Sequence, residues 1–213
     1  VSKHRDDFFQ IKAFFFGQAG MLDGKGLSCF ENAEYEQLCK EYSYLRTKFS
    51  LKPIDRSIWH YLRLRPQNFP HTRILQLAHL YYDDALAFSK VMNAKSKNDF
   101  YELFDTKSGE FNLSKSSRES LLINCVIPML FAYGTYRNDI TLRDSAIDLL
   151  ETFPPEDNRI IRDWESAEIT SEHSADSQAL IHLYKEYCEK RECLRCRFGH
   201  EYLCNNPGWL KEE

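Results

Sequence analysis

Glycine and proline are scarce in this 213-residue chain, at eight and seven residues. A turn-rich all-β fold draws on both for its reversals, so their scarcity argues against that class. Period-two alternation is missing over any useful length, which removes the other mark of a half-buried sheet. No apolar run approaches the roughly 18–20 residues of a membrane span. The longest, AFFFGQAGML from Ala13 to Leu22, is short and holds two glycines. A secretory signal pattern is missing, and the chain opens on Val rather than Met, which reads as a piece of a longer protein. An excess of positive charge is missing as well, since the formal net charge is −4. Non-specific nucleic-acid binding wants a basic domain, so only a local basic patch remains open to it. The seven histidines show no H-x3-H or H-E-x2-H spacing, no serine sits in G-x-S-x-G, and there is no Walker loop. Hydrolase and nucleotidase chemistry therefore has no handle in the sequence.

What is present is the material of a helical core. Apolar residues make up 43% of the chain, with fifteen Phe, twelve Tyr and three Trp, enough for one sizeable core or two small ones. Tyr35, Leu38, Tyr42, Leu45 and Phe49 step by three and four, which predicts a helix over 32–50 with that stripe buried. Ile74, Leu77, Ala78, Tyr81, Ala85, Phe88 and Met92 predict another from about His71 to Met92, with Pro70 at its first turn. Asp83 and Asp84 then fall on a solvated helix face, about 100° apart and poorly placed as an acid/base pair. A first helix from Asp6 to about Phe16 carries a wide apolar face and ends at Gly17 and Gly20. Leu121, Leu122, Cys125, Met129 and Ala132 form a core helix that Pro128 kinks. Leu142, Ala146, Leu149 and Leu150 mark a short one stopped by Pro154 and Pro155, and NRIIRDWESAEI marks the next. The last long helix starts near Asp176 as N-cap and presents Leu180, Leu183, Tyr184 and Tyr187. The sum is an all-α, single globular domain of roughly seven to nine helices. A softer polar connection spans 95–117, and a Cys-rich cap spans 188–204.

Four of the seven cysteines crowd into EYCEKRECLRCRFGHEYLC, as Cys188, Cys193, Cys196 and Cys204. An odd total fits a reducing cytoplasm better than a secreted disulfide framework. There, clustered thiols point to metal, redox use or packing. As ligands they suit zinc or an iron–sulfur cluster, because sulfur is soft and the metal replaces the proton. The C-x4-C-x2-C opening is that of plant-type ferredoxins, but the flanking Lys190, Arg191, Arg195 and Arg197 and the close fourth cysteine are not. In overall length the span resembles the iron–sulfur loop of helix-hairpin-helix DNA glycosylases, with different internal spacings. His200 lies inside the cluster as an alternative to Cys204. The basic neighbours are expected to lower thiol pKa values, and Gly199 to allow a second chain reversal. Against the metal stands packing, with Cys188 on the helix and the others as small apolar fillers. The Cys193–Cys196 pair also suits redox use.

WHYLRLRPQNFPHTR, Trp59 to Arg73, is the second feature. Arg63, Arg65 and Arg73 bracket two prolines, and Asn68 adds amide donors. Guanidinium forks on a stiff turn bind phosphate or carboxylate and stack on rings. This makes Arg63, Arg65, Asn68 and Arg73 a candidate anion or ligand site. The structural alternative has these arginines pairing with Asp55, Asp83 and Asp84 and pinning two helices.

FFFGQAGML, LRLRPQNFPHTRILQLAHL, IPMLFAYG and ADSQALIHLYKEYCEKRECLRCRFGHEYL, in this order from Phe14 to Leu203, together resemble a bacterial family of unknown function, domain-of-unknown-function family number 2851. The resemblance implies a cytoplasmic bacterial protein of which this chain is the C-terminal portion. It supplies no catalytic residue to carry over. Three functional expectations follow. The first is a non-catalytic helical scaffold or ligand-docking half whose partner is another protein domain. The second is a zinc- or iron–sulfur-stabilised nucleic-acid-binding module. The third is part of an enzyme whose active site lies in an absent N-terminal half. None involves a membrane.

Overall fold

A computed structural model of the chain describes residues 6–24, 26–85, 87–106 and 112–205. Among them the regular structure is all helical, with no strand, and no helix is long and apolar enough to cross a membrane. The chain divides into two compact units, residues 1–118 and 119–213.

In the first unit, α1 (Phe8–Gln18) packs on both α2 (Asn32–Phe49) and α3 (Pro70–Tyr82). The Asp7 side chain accepts from the Gln10 amide and starts α1. Gly17 does not end that helix. It lies inside it, where a Cβ would stand 2.0 Å from the Tyr42 ring, so the missing side chain lets α1 and α2 close together. Gly20 does the turning, at φ +69°. Phe16, Met21, Ile74 and Leu75 fill one side of α1, and Ala13, Leu38, Tyr42 and Leu45 fill the other. The α2 stripe is buried from Tyr35 to Leu45, but Phe49 is exposed in the last turn, beside the left-handed Ser50 that caps the helix.

The helix expected from His71 to Met92 is two helices. α3 stops at Tyr82, Asp84 takes a left-handed φ of 54°, and α4 (Phe88–Asn93) starts afresh. Asp83 is therefore no solvated helix residue but a buried one beyond the helix end. The polar stretch 95–117, whose residues 107–111 lie outside the described residues, contains α5 (Lys97–Glu102) and the start of α6 (Lys115–Leu121). Ser96 and Asp99 form a reciprocal capping box that begins α5. Three amide and hydroxyl donors, Ser96 Oγ and the Lys95 and Ser96 backbone N–H groups, hold the Asp99 carboxyl down to about 2.

In the second unit, a π turn over Leu122–Val126 precedes α7 (Ile127–Arg137). Pro128 has no N–H to give a regular turn, and the wider turn accommodates it, with Ile127 N–H reaching Leu122 C=O. One extra residue rotates the helix face. Leu122, Ile123, Val126, Ile127 and Leu130 are buried, whereas Cys125, Met129 and Ala132, expected in the core, are exposed. Asn138, left-handed at φ 54°, reverses the chain into α8 (Ile140–Glu151), which packs along α7. α9 (Arg159–Ser166) and α10 (Ser174–Leu183) follow. The N-cap of α10 is His173, with Asp176 as its capping-box partner three residues on, rather than Asp176 itself. Its fully buried residues are Ser174 and Ser177, not the Leu/Tyr stripe, which is half-buried. Those serines satisfy the chain at Phe153–Glu156: Ser174 N–H donates to Phe153 C=O, Ser174 Oγ to Pro154 C=O, and Ser177 Oγ accepts from the Glu156 amide.

Candidate functional site

The arginine turn is built on the end of α1. Ile54 N–H donates to Gln18 C=O at 2.8 Å, and Ile54 C=O lies so close to Gly20 that a Cβ there would stand 2.1 Å from it. Trp59 Nε1 donates to Ala19 C=O at 2.7 Å, and Arg56 pairs with Asp23 at 2.7 Å. Two 3-10 turns, Arg56–Ile58 and Pro66–Asn68, carry the chain from this anchor into α3. Asp55 caps the first through the Ser57 amide. Thr72 Oγ1 donates to Pro66 C=O at 3.2 Å and ties the second to α3.

Between the turns the chain protrudes. Leu62 is 89% exposed, and Ile54, Ile58 and Leu64 are also open to solvent. Arg63 is left-handed at φ 63°, a conformation that costs a non-glycine residue about 1 kcal/mol or more. The aromatic side chains point the other way. Tyr61, Phe69 and His71 form one cluster, with ring centroids 5.5–6.0 Å apart. Within it the Tyr61 hydroxyl and His71 Nδ1 are buried and find no hydrogen-bond partner among the described residues. Burial pushes the His71 pKa down, so its ring is neutral at neutral pH.

The sequence-predicted residues separate into two kinds. Arg73 and Asn68 belong to the base of the turn. The Arg73 guanidinium donates to Asn68 Oδ1 at 2.6 Å, Gln76 Oε1 at 2.9 Å and Ser117 Oγ at 2.9 Å. All three acceptors are neutral, and among the described residues no carboxylate pairs with Arg73. It pins the turn, α3 and the start of α6 to one another through uncharged oxygens. Arg63 and Arg65 are exposed and form no ion pair among the described residues. The pairing with Asp55, Asp83 and Asp84 is not what the geometry holds. Gln76 and Ser117 escaped the sequence reading. Gln76 is traceable as the lone amide in ILQLAHL, three residues beyond Arg73, whereas Ser117, 44 residues away, gives no local signal.

The cysteine segment lies in the second unit. A π turn, Tyr184–Cys188, ends α10, and Arg191 beyond it is left-handed at φ 56°. Cys193 to Arg195 form a turn, closed by Cys196 N–H to Cys193 C=O at 3.3 Å. α11 (Arg197–Asn205) follows, with His200 N–H donating to Cys196 C=O. Gly199 makes no reversal. It sits within α11 facing the turn, where a Cβ would stand 2.5 Å from Cys193 C=O. Cys188, Cys193 and Cys204 are exposed and Cys196 is buried, all as free thiols. Partial burial, then the neighbouring Cys196 and Cys193 thiols, raises the Cys188 pKa, so the lowering expected from the basic surroundings does not occur there. Of the basic residues around it, Lys190 pairs with Glu186 at 2.6 Å and Arg195 with Glu192 at 3.0 Å. Cys204 lies against the His200 ring at 3.7 Å, one turn along α11. Among the described residues no group of three or more His, Cys, Asp or Glu side chains is placed to hold a metal ion.

The sequence profile of the family described as Protein of unknown function (DUF2851) matches residues 1–159, and the chain belongs to this family. The match contains the whole arginine turn. It ends before the cysteine segment, so the resemblance drawn through to Leu203 is supported only up to residue 159. No curated protein and no solved structure matches the chain.

Proposed function

We propose that this chain is a non-catalytic helical docking scaffold. Its docking element is the turn 52–73, and its partner is an acidic protein segment that also carries aliphatic side chains. The observation that supports this is unbalanced charge beside exposed aliphatic surface. Residues 52–73 hold Lys52, Arg56, Arg63, Arg65 and Arg73 against the single carboxylate Asp55, in a chain of net charge −4. Of these, Arg56 is matched by Asp23, and Arg73 meets only neutral oxygens among the described residues. Leu62, Leu64, Ile58 and Ile54 lie open in the same stretch. Arginines and aliphatics together suit an acidic, apolar peptide, through charge steering and apolar burial.

A single-stranded nucleic acid asks for exposed aromatic platforms. Here Tyr61 stacks on His71, Phe69 meets both rings at steep angles, and Trp59 is bonded to the backbone of Ala19. Near the cysteines, Lys190 and Arg195 are already matched by glutamates. These points favour the protein partner over the nucleic acid.

Fluorescence anisotropy tests the proposal, with a labelled peptide of alternating Glu and Leu and a single-stranded oligonucleotide of equal charge as probes. The peptide is expected to bind with a salt-dependent affinity, to be lost in the double variant Arg63→Glu/Arg65→Glu, and to be weakened by Leu62→Ala. Equal binding by wild type and double variant overturns the assignment of the turn. Preference for the oligonucleotide transfers the turn to nucleic acid.

A further inference from the structure

The cysteine segment is independent of the docking turn and carries chemistry of its own. Cys193 and Cys196 lie at the two ends of a tight turn, closed by the bond from Cys196 N–H to Cys193 C=O. The ends of such a turn have Cα atoms less than about 7 Å apart. Disulfide-bonded cysteines have Cα atoms about 4.4–6.8 Å apart, so the two ranges overlap. The two thiols differ in access. Cys193 is exposed, whereas Cys196 is only 7% exposed. Gly199 keeps the turn pressed against α11, because its missing side chain leaves room for the Cys193 carbonyl. Arg191, between Cys188 and this turn, is left-handed at φ 56°.

We propose that Cys193 and Cys196 form a thiol–disulfide exchange site whose substrate class is the low-molecular-weight disulfide, RS–SR. Cys193, the accessible sulfur, gives up its proton to solvent and attacks one sulfur of RS–SR. The S–S bond breaks, a mixed disulfide Cys193–S–SR forms, and RS⁻ leaves and takes up a proton. Cys196 then loses its proton and attacks the Cys193 sulfur, forming the Cys193–Cys196 bond and releasing the second RS⁻. The two protein thiols are oxidised and RS–SR is reduced to two RSH. Access decides the order, because exchange requires the attacking sulfur to reach the disulfide from solvent. A buried Cys196 meets only a sulfur already joined to its neighbour.

The flanking basic residues make the test direct. Trypsin cuts after Lys185, Lys190, Arg191, Arg195 and Arg197, which places Cys188, Cys193 and Cys196 in three separate peptides, EYCEK, ECLR and CR. The reduced full chain is treated with oxidised glutathione, alkylated, digested and read by mass spectrometry. The expected products are ECLR disulfide-linked to CR, lost on adding dithiothreitol, and two glutathione molecules released per chain. Cys196→Ser is expected to stop at one glutathione on Cys193, and Cys193→Ser to lose both adduct and cross-link. Circular dichroism of both variants checks that the fold survives. A dominant EYCEK–CR or EYCEK–ECLR link overturns the assignment of the pair. Glutathione found only on Cys125 or Cys204 overturns the site. A repeat with zinc chloride added to the reduced chain provides the remaining arm. Uptake of one zinc per chain that protects Cys188, Cys193 and Cys196 would make the cluster a metal site instead.

Discussion

Arg73 works in this molecule as a clamp rather than as a free fork. Three of its N–H groups are committed to Asn68, Gln76 and Ser117, acceptors with no formal charge. A hydrogen bond to a charged group contributes about 1.5–3 kcal/mol, and its removal strands partly buried acceptors. Arg73→Ala is therefore expected to lower unfolding stability by at least about 2 kcal/mol. An ion pair would lose much of its value in salt, but this clamp contains none. The loss measured by urea denaturation should be nearly the same in low and high salt. A loss that fades with salt would mean that a carboxylate is the true partner.

His71 makes a second residue-scale prediction. Its burial favours the neutral ring, so the folded chain resists a proton that the unfolded chain accepts. The sign follows from the lowered pKa. The fold carries no penalty above the ordinary histidine value near 6.5, and it loses stability as pH falls below that value. His71→Phe is expected to flatten the fall in melting temperature between about pH 7 and pH 5. If wild type and variant decline in parallel, the histidine is not buried as described.

At the scale of elements, the helices with intact periodicity are those the sequence gives most directly. Tyr35, Leu38, Tyr42 and Leu45 repeat at helical spacing without a proline or glycine, and they are the buried face of α2. Leu45→Ala is expected to cost about 2–5 kcal/mol in chemical denaturation, as a large-to-small core change does. A change under about half a kcal/mol would place this face outside. Where local backbone chemistry intervenes, periodicity misleads. The π turn before Pro128 shifts the face of α7 by one residue, so Cys125 and Met129 are exposed. A left-handed Asp84 splits what reads as one stripe into α3 and α4, and two buried serines replace the leucines expected under α10. The turn's position was legible from its arginines and prolines. Its clamp was not, because Ser117 lies too far along the chain to leave a mark.

For the whole molecule, charge is distributed against the average. The chain is acidic overall, yet residues 52–73 hold five cations and one carboxylate. That stretch lies inside the residues that place the chain in its family, whereas the cysteine segment lies beyond them. The base of the turn is tied down from the Trp59–Ala19 bond to the Arg73 clamp, and on the docking account this holds the exposed Leu62 and the left-handed Arg63 ready for a partner. Preorganisation of this kind reduces the ordering cost of binding. The most direct measurement is hydrogen exchange of the full chain with and without the Glu/Leu peptide, read by mass spectrometry along the sequence. The docking account predicts slower exchange concentrated in residues 54–73 and none of it in the Arg63→Glu/Arg65→Glu variant. Protection centred elsewhere, or unchanged by the double substitution, would contradict it.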